Sequence, residues 1–279
     1  MTSQIKTFLL LALLSGIVLV IGGSLGGSTG LAIAAVLALV MNVGSYWFSD
    51  SIVLRMYKAR ELGPDESPML HGMVADLSRQ AGIPMPRICV VPDQSPNAFA
   101  TGRNPEHAVV AVTEGIMRML SPEELRGVLA HEIGHIANRD ILVQTVASVL
   151  ATVIMYLANM VKFAAIFGGR SDDRSGGGAI GALLMAILAP IAAALIQMAI
   201  SRSREFLADA SGAQYSGSPL ALASALSKID AYSKQIPMRR QDPATESMFI
   251  ISPLAGGSVR NLFSTHPPTE ERIRRLQAM

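Results

Sequence analysis

His131-Glu132-Ile133-Gly134-His135 is the stretch of this sequence best equipped for chemistry. On an α-helix, at about 100° per residue, its histidines lie about 40° apart and one turn along the axis, so both imidazoles reach one metal ion. Glu132 stands about 60° round from His135. From there its carboxylate touches a water on that metal without being a ligand, which is the place of a general base. The chain has five histidines, and two of them flank a glutamate at this spacing. The competing account is a surface helix with ordinary polar residues, and a third ligand decides between the two.

Ser203-Arg204-Glu205-Phe206-Leu207-Ala208-Asp209 supplies that ligand. Glu205 and Asp209 stand four residues apart on one helical face. Glu205 completes the His₂Glu set of catalytic zinc sites, with the fourth position left to water. Asp209, one turn on, suits an acceptor that fixes a histidine ring nitrogen. Pairing with Arg202 or Arg204, or simple solvation, is the other account of both acids, and it fits Asp209 better than Glu205.

The elements that must position these groups are legible around them. Ser121-Pro122-Glu123-Glu124 combines an N-cap serine, a proline at the first helical position and a glutamate three residues after the cap. This predicts a helix from Pro122 to about Asn138 that carries both histidines. Apolar Leu70, Met73, Val74 and Leu77 predict an amphipathic helix over 66–81. Short apolar runs at 87–91, 98–101 and 108–112, each bounded by turn residues, read as strands of a small sheet.

Charge divides the rest of the chain. Residues 1–49 hold one charge, Lys6, and 141–200 hold five, so 109 residues carry 6 of the 44 charges. Each poor block has room for two membrane-spanning helices of about 20 residues. The spans are placed at about 8–25, 31–48, 141–167 and 179–200, with the glycine-rich stretch 22–30 as the first turn. Lys162 would reach the interface from the third span, and Pro190 would kink the fourth. The domain plan is then 1–48, two spans; 49–140, the first polar part; 141–200, a hairpin of spans; and 201–279, the second polar part. Lys6, Arg55, Lys58, Arg60, Arg139, Arg202 and Arg204 all flank the spans on one side, which makes that side cytoplasmic, with both termini and both polar parts there. A cleaved leader is disfavoured because a second apolar run, not a polar chain, follows the first.

His135 lies six residues before the third span and Glu205 five after the fourth. At about 1.5 Å per residue, both stand within roughly 10 Å of the same membrane face. The 69 residues between them are a hairpin through the bilayer and back.

The sequence resembles the HtpX-type membrane metalloproteases of bacteria, within the larger family that also holds the CAAX prenyl-protein endopeptidases. The likeness rests on His131-Glu132-x-x-His135, Glu205-x-x-x-Asp209, Asn97-Ala98-Phe99-Ala100 with Thr101-Gly102, and Ser264-Thr265-His266-Pro267-Pro268 followed by Glu271-Arg272-Ile273. It covers nearly the whole chain, except that 168–178 and 236–260 match nothing. It implies a mainly α fold with a small β-sheet, a zincin-like (gluzincin) protease domain combined with four transmembrane helices. It implies one Zn²⁺ per subunit held by His131, His135 and Glu205, with Glu132 as catalytic base. His266 is a candidate donor to the developing oxyanion, or a cap on the turn before Pro267. Arg272 is similar to a family arginine near the site, or a helix-face charge. Asn97, Ala98, Phe99 and Ala100 start a strand, and as a sheet edge they would align extended substrate through backbone hydrogen bonds. The implied activity is endopeptidase action on damaged membrane proteins at the cytoplasmic face of the bacterial inner membrane, in quality control and stress response, with protein substrates and the lipid bilayer as partners.

Other classes fit less well. The net charge of +2 and 5% aromatic content make no nucleic-acid surface. One cysteine, Cys89, excludes a disulfide scaffold and reads as a small buried hydrophobe. A zinc-stabilised chaperone or scaffold gives Glu132 no purpose and would close the fourth metal position with Cys or His. A zinc transporter would want polar ligands inside the spans, where Gln144 and Gln197 are the main candidates. A prenyl-protein protease, as the resemblance describes it, has more spans than four.

Overall fold

The computed structural model describes residues 3–152, 154, 202–233, 235–238, 245, 248–251 and 267–279. The chain opens with a long apolar helix, α1 (Ser3–Met56), which breaks at Gly26 and Gly27. Gly27 has φ 56° and ψ −138°, a region that only glycine enters readily. The two arms fold side by side, since Asn42 Nδ2 donates to Ser15 Oγ at 2.8 Å across 27 residues of sequence. The turn is narrower than the glycine-rich stretch 22–30 predicts. Gly22 and Gly30 belong to the arms, and a Cβ on Gly22 would run into Ala34 and the Gly30 backbone, so the arms meet through small residues.

The second arm, Gly26–Met56, is 31 residues long and, among the described residues, is the one helix long and apolar enough to cross a membrane. It continues past the predicted end at 48. Its last turns enter the protein core, where Val53, Leu54 and Tyr57 are buried against Phe99, Phe249 and Val149. Helix α5 (Ile141–Thr152) is the described start of the third predicted span, and its Val143, Val146, Ala147 and Leu150 are buried in protein. The rest of that span, the fourth span, Lys162 and Pro190 lie outside the described residues.

Between these helices lies a four-stranded mixed sheet in the order β1 (Arg60–Glu61), β2 (Arg87–Val91), β4 (Val109–Thr113), β3 (Ala98–Thr101). β2 and β4 are parallel, and β3 runs antiparallel to β4 at the outer edge. The strands read as unbroken apolar runs because both faces are covered. Ile88, Val90, Ala98, Ala100, Val110 and Val112 face the helical core, and Cys89, Val91, Phe99, Val109 and Ala111 face the end of α1. Burial pushes the Cys89 thiol up to about 11, in keeping with an inert hydrophobe.

The helical layer holds α2 (Pro68–Ala81), α3 (Glu114–Met119), α4 (Pro122–Ala137), α6 (Arg202–Ser216), α7 (Pro219–Ser233) and α8 (Thr269–Gln277). α4 is its centre, packed on α2, α6, α7 and β3. Its start is the predicted capping box: the Ser121 hydroxyl accepts from the Glu124 N–H, and Glu124 accepts from the Ser121 N–H. Burial alone would push the Glu124 carboxyl up. Lys228 and Ser224 on α7 and the Ser121 N–H more than offset this and hold it below its ordinary value.

Candidate active site

α4 and α6 cross where each carries a glycine. A Cβ on Gly212 would lie 2.9 Å from the His131 backbone nitrogen and 3.0 Å from its Cα, and one on Gly134 would lie 3.1 Å from the Ala208 carbonyl. Bare glycine therefore lets the backbones touch, and side chains beside the crossing meet at short range. His131, His135 and Glu205 each offer a ligand atom, all within 4.8 Å of one another and all buried. His131 Nε2 is 3.8 Å, and His135 Nε2 3.5 Å, from the Glu205 carboxylate. Ligands at about 2.0–2.2 Å around a tetrahedral ion stand roughly 3.4 Å apart, so these residues fit Zn²⁺ in spacing, donor type and burial.

Both imidazoles are oriented from behind. Asp209 Oδ1 lies 2.9 Å from His131 Nδ1, which leaves Nε2 turned toward Glu205. Burial first, then the Arg272 cation, lower His131 to about 4, so the ring is neutral and ready to ligate at neutral pH. Asp140 takes the same place for His135, with Oδ2 at 3.5 Å from Nδ1. Burial lowers His135, but Glu205, Asp140 and Glu132 raise it further and win.

Asp140 reaches His135 because α4 ends in a Schellman turn. Arg139 adopts φ 58°, its N–H reaches the Ile136 carbonyl, and the Asp140 N–H reaches the His135 carbonyl at 2.9 Å. The turn folds Asp140 back over the ring. Sequence reasoning missed Asp140, and the available signal was an acid just past the end of a histidine-bearing helix.

Glu132 is 1% exposed, and neither of its carboxylate oxygens has a well-formed hydrogen bond, although the Ala100 backbone N–H acts on it. Burial raises it to about 7, with Glu205 adding to the rise and His135 and Arg272 opposing it. A carboxyl group poised there exchanges protons readily at neutral pH.

Arg272 is not a helix-face charge. It is 1% exposed and grips Asp209 through Nε at 2.9 Å and Nη2 at 2.7 Å. Burial opposes its charge, but Asp209 and Glu205 hold it well above its ordinary value, while Arg272 holds Asp209 well below. Asp209 thus pairs with α4 and α8 and not with its neighbours Arg202 and Arg204. Asn97, Ala98, Phe99 and Ala100 stand at the sheet edge beside α4, all buried. His266 lies outside the described residues. Sequence reasoning also missed Gly212, for which an isolated glycine inside a helix is the only signal.

Residues 64–279 match the model of peptidase family M48. A protease HtpX homolog of Syntrophobacter fumaroxidans is 57% identical over 282 residues, covering 100% of both chains. One of Persephonella marina is 56% identical, over 99% of this chain and 96% of the relative, and one of Pyrococcus furiosus 56%, over 98% and 94%. Among solved structures, Ste24p of S. mikatae superposes with a TM-score of 0.54 at 21% identity, over 98% of this chain and 65% of that one, a likeness of fold. With the family model matched over residues 64–279 and relatives of more than half identity along the full length, the chain belongs to peptidase family M48 and is a metalloprotease.

Proposed function

We propose that this protein is a zinc endopeptidase of zincin-like fold that spans the membrane four times and cleaves extended segments of misfolded membrane proteins at the cytoplasmic face. The observation that carries the chemistry is the buried cluster of His131, His135 and Glu205 beside the buried carboxylate of Glu132. Zn²⁺ held by the three ligands would supply a Lewis acid for the scissile carbonyl and an acidified water. Glu132 takes the proton of the attacking water and passes it to the leaving amine, a task suited to a group near 7. Asp209 and Asp140 keep the two histidine rings turned for ligation, and Arg272 holds Asp209 in place. The edge of β3 binds substrate through its backbone, which favours unfolded chains over particular sequences. His266 as donor to the oxyanion follows the sequence resemblance.

The orientation rests on the basic residues around the spans, and the apolar arm that runs directly into the protease core supports a cleft close to the membrane. The decisive experiment loads purified full-length protein with zinc and follows cleavage of an unfolded protein. Glu132→Gln should keep its zinc and lose at least about a hundredfold in rate, whereas Glu205→Ala should lose the zinc. Full activity in Glu132→Gln would sink the mechanism, and full zinc in Glu205→Ala would remove the third ligand.

A further inference from the structure

The edge strand β3 is not vacant. Thr113 N–H donates to the Asn97 carbonyl at 3.0 Å, so in the antiparallel register residues 97, 99 and 101 bond to β4. The backbone groups of Ala98 and Ala100 face the other way, toward the side where a substrate strand would add. That side is taken by the chain itself. Phe249 forms an antiparallel bridge with Phe99, and the Ile250 N–H donates to the Ala98 carbonyl at 3.1 Å. The next two carbonyls are held by side chains: Arg272 Nη1 donates to Ile250 O at 2.7 Å, and Asn97 Nδ2 donates to Ile251 O at 3.0 Å.

Three backbone groups of Ile250 and Ile251 are thus read with no demand on side-chain identity, as a cleft reads a peptide. The Ile250 carbonyl also sits one guanidinium away from the His-His-Glu cluster, because the same Arg272 approaches Glu205 to 3.8 Å and the His131 ring to 3.4 Å. A buried arginine whose remaining donor points at a backbone carbonyl makes a strong, charge-assisted bond to whatever peptide lies there.

We propose that residues 248–251 are an internal stand-in for substrate, and that an unfolded polypeptide binds on β3 only when this segment is displaced. This rests on the reading of the site as a protease and adds its regulation. The resting enzyme is closed by its own chain, and substrate competes with an intramolecular strand of high effective concentration. Phe249 and Ile250 are buried at 2% and 1% exposure, so the closed state also covers apolar surface.

The test locks or loosens the segment in full-length, zinc-loaded protein in detergent. Opposed residues of such a non-hydrogen-bonded antiparallel pair stand about 4.5 Å apart at Cα, within reach of a disulfide. Phe99→Cys with Phe249→Cys therefore ties the segment down on oxidation. The probe is fluorescein-labelled, reduced and carboxymethylated α-lactalbumin, read by anisotropy in a Glu132→Gln background and by cleavage without that change. Oxidation should weaken binding at least tenfold, with recovery on adding dithiothreitol; equal binding in both redox states overturns the proposal. Ile250→Pro, which deletes the N–H that pairs with Ala98, should tighten binding roughly fivefold. An affinity equal to or below the parent's counts against it. Binding that the lock blocks, without cleavage by the wild-type chain, keeps this proposal and sinks the protease reading. Cleavage at equal rates by oxidised and reduced protein does the reverse.

Discussion

Arg272 and Asp209, 63 residues apart in sequence, face each other through two hydrogen bonds of 2.9 and 2.7 Å inside the protein. The pair does two things at once: it ties α8 to α6, and it holds the carboxylate that orients His131. Asp209→Ala leaves a buried guanidinium whose ion pair among the described residues is then the one with Glu205 at 3.8 Å. Loss of one member of such a pair costs about 3–5 kcal/mol. Loss of the acceptor behind a metal-bound histidine weakens the metal by about 10–100-fold. Thermal melting and chelator competition read the two effects separately, and unchanged zinc affinity would contradict the orienting role.

Gly212→Ala has two opposed effects. Alanine in place of a helical glycine gains about 0.5–1 kcal/mol. The new Cβ, however, meets His131 backbone atoms at 2.9 and 3.0 Å, and backbone has no rotamer with which to yield. Overpacking costs about 1–3 kcal/mol, so the variant should be less stable and should also bind zinc more weakly, because α6 must move away from α4. A rise in melting temperature with zinc affinity intact would show that the crossing is looser than the structure has it.

Arg139→Gly should stabilise the protein. Arg139 is held at φ 58° by the turn that brings Asp140 to His135. A side chain in that region costs about 1–2 kcal/mol, and the added freedom of glycine in the unfolded chain returns about 0.5–1. The net gain is about 0.5–1 kcal/mol, seen as a raised unfolding midpoint with zinc binding unchanged. A lower midpoint would mean that the arginine side chain has a stabilising partner of its own.

Glu124 sets an acid limit on the join between α4 and α7. Its folded pKa is lowered, so its contribution is complete above the unfolded carboxyl value of about 4.3 and disappears as pH falls through the folded value. Unfolding midpoints recorded from pH 6 downward should fall more steeply for wild type than for Glu124→Gln once the pH drops below about 4.5. Parallel curves would remove Glu124 from the linkage.

How far the site could be read in advance depended on whether its cause was local. The α4 capping box, the histidine spacing and the Glu205–Asp209 pair are set within a turn or two of helix, and the sequence shows them directly. The strands at 87–91 and 98–101 were visible as apolar runs between turn residues. β1 was not, since two residues carry no period, and α3 and α7 were passed over. Arg272 was ambiguous because its meaning depends on Asp209, far away in the chain, and an exposed α8 would carry the same residues. The occupation of the β3 edge by Phe249 and Ile250 was beyond reach for the same reason. It is a contact across about 150 residues made by a segment with no motif.

The helical arm that follows the break at Gly26 and Gly27 and runs to Met56 has a further consequence. From Ser28 to Met56, at about 1.5 Å per residue, it is about 44 Å long, some 14 Å more than the hydrocarbon layer it would cross. The surplus ends as packed core under Phe99 rather than as a linker. If the arm spans the bilayer as proposed, the height of the cleft above the lipid would be set by a rigid ruler and not by the random coil of a tether. In the proposed topology such an enzyme would select by distance: a scissile bond would have to come to the height of the cleft, so a client loop would have to be long enough to rise that far, whatever its sequence.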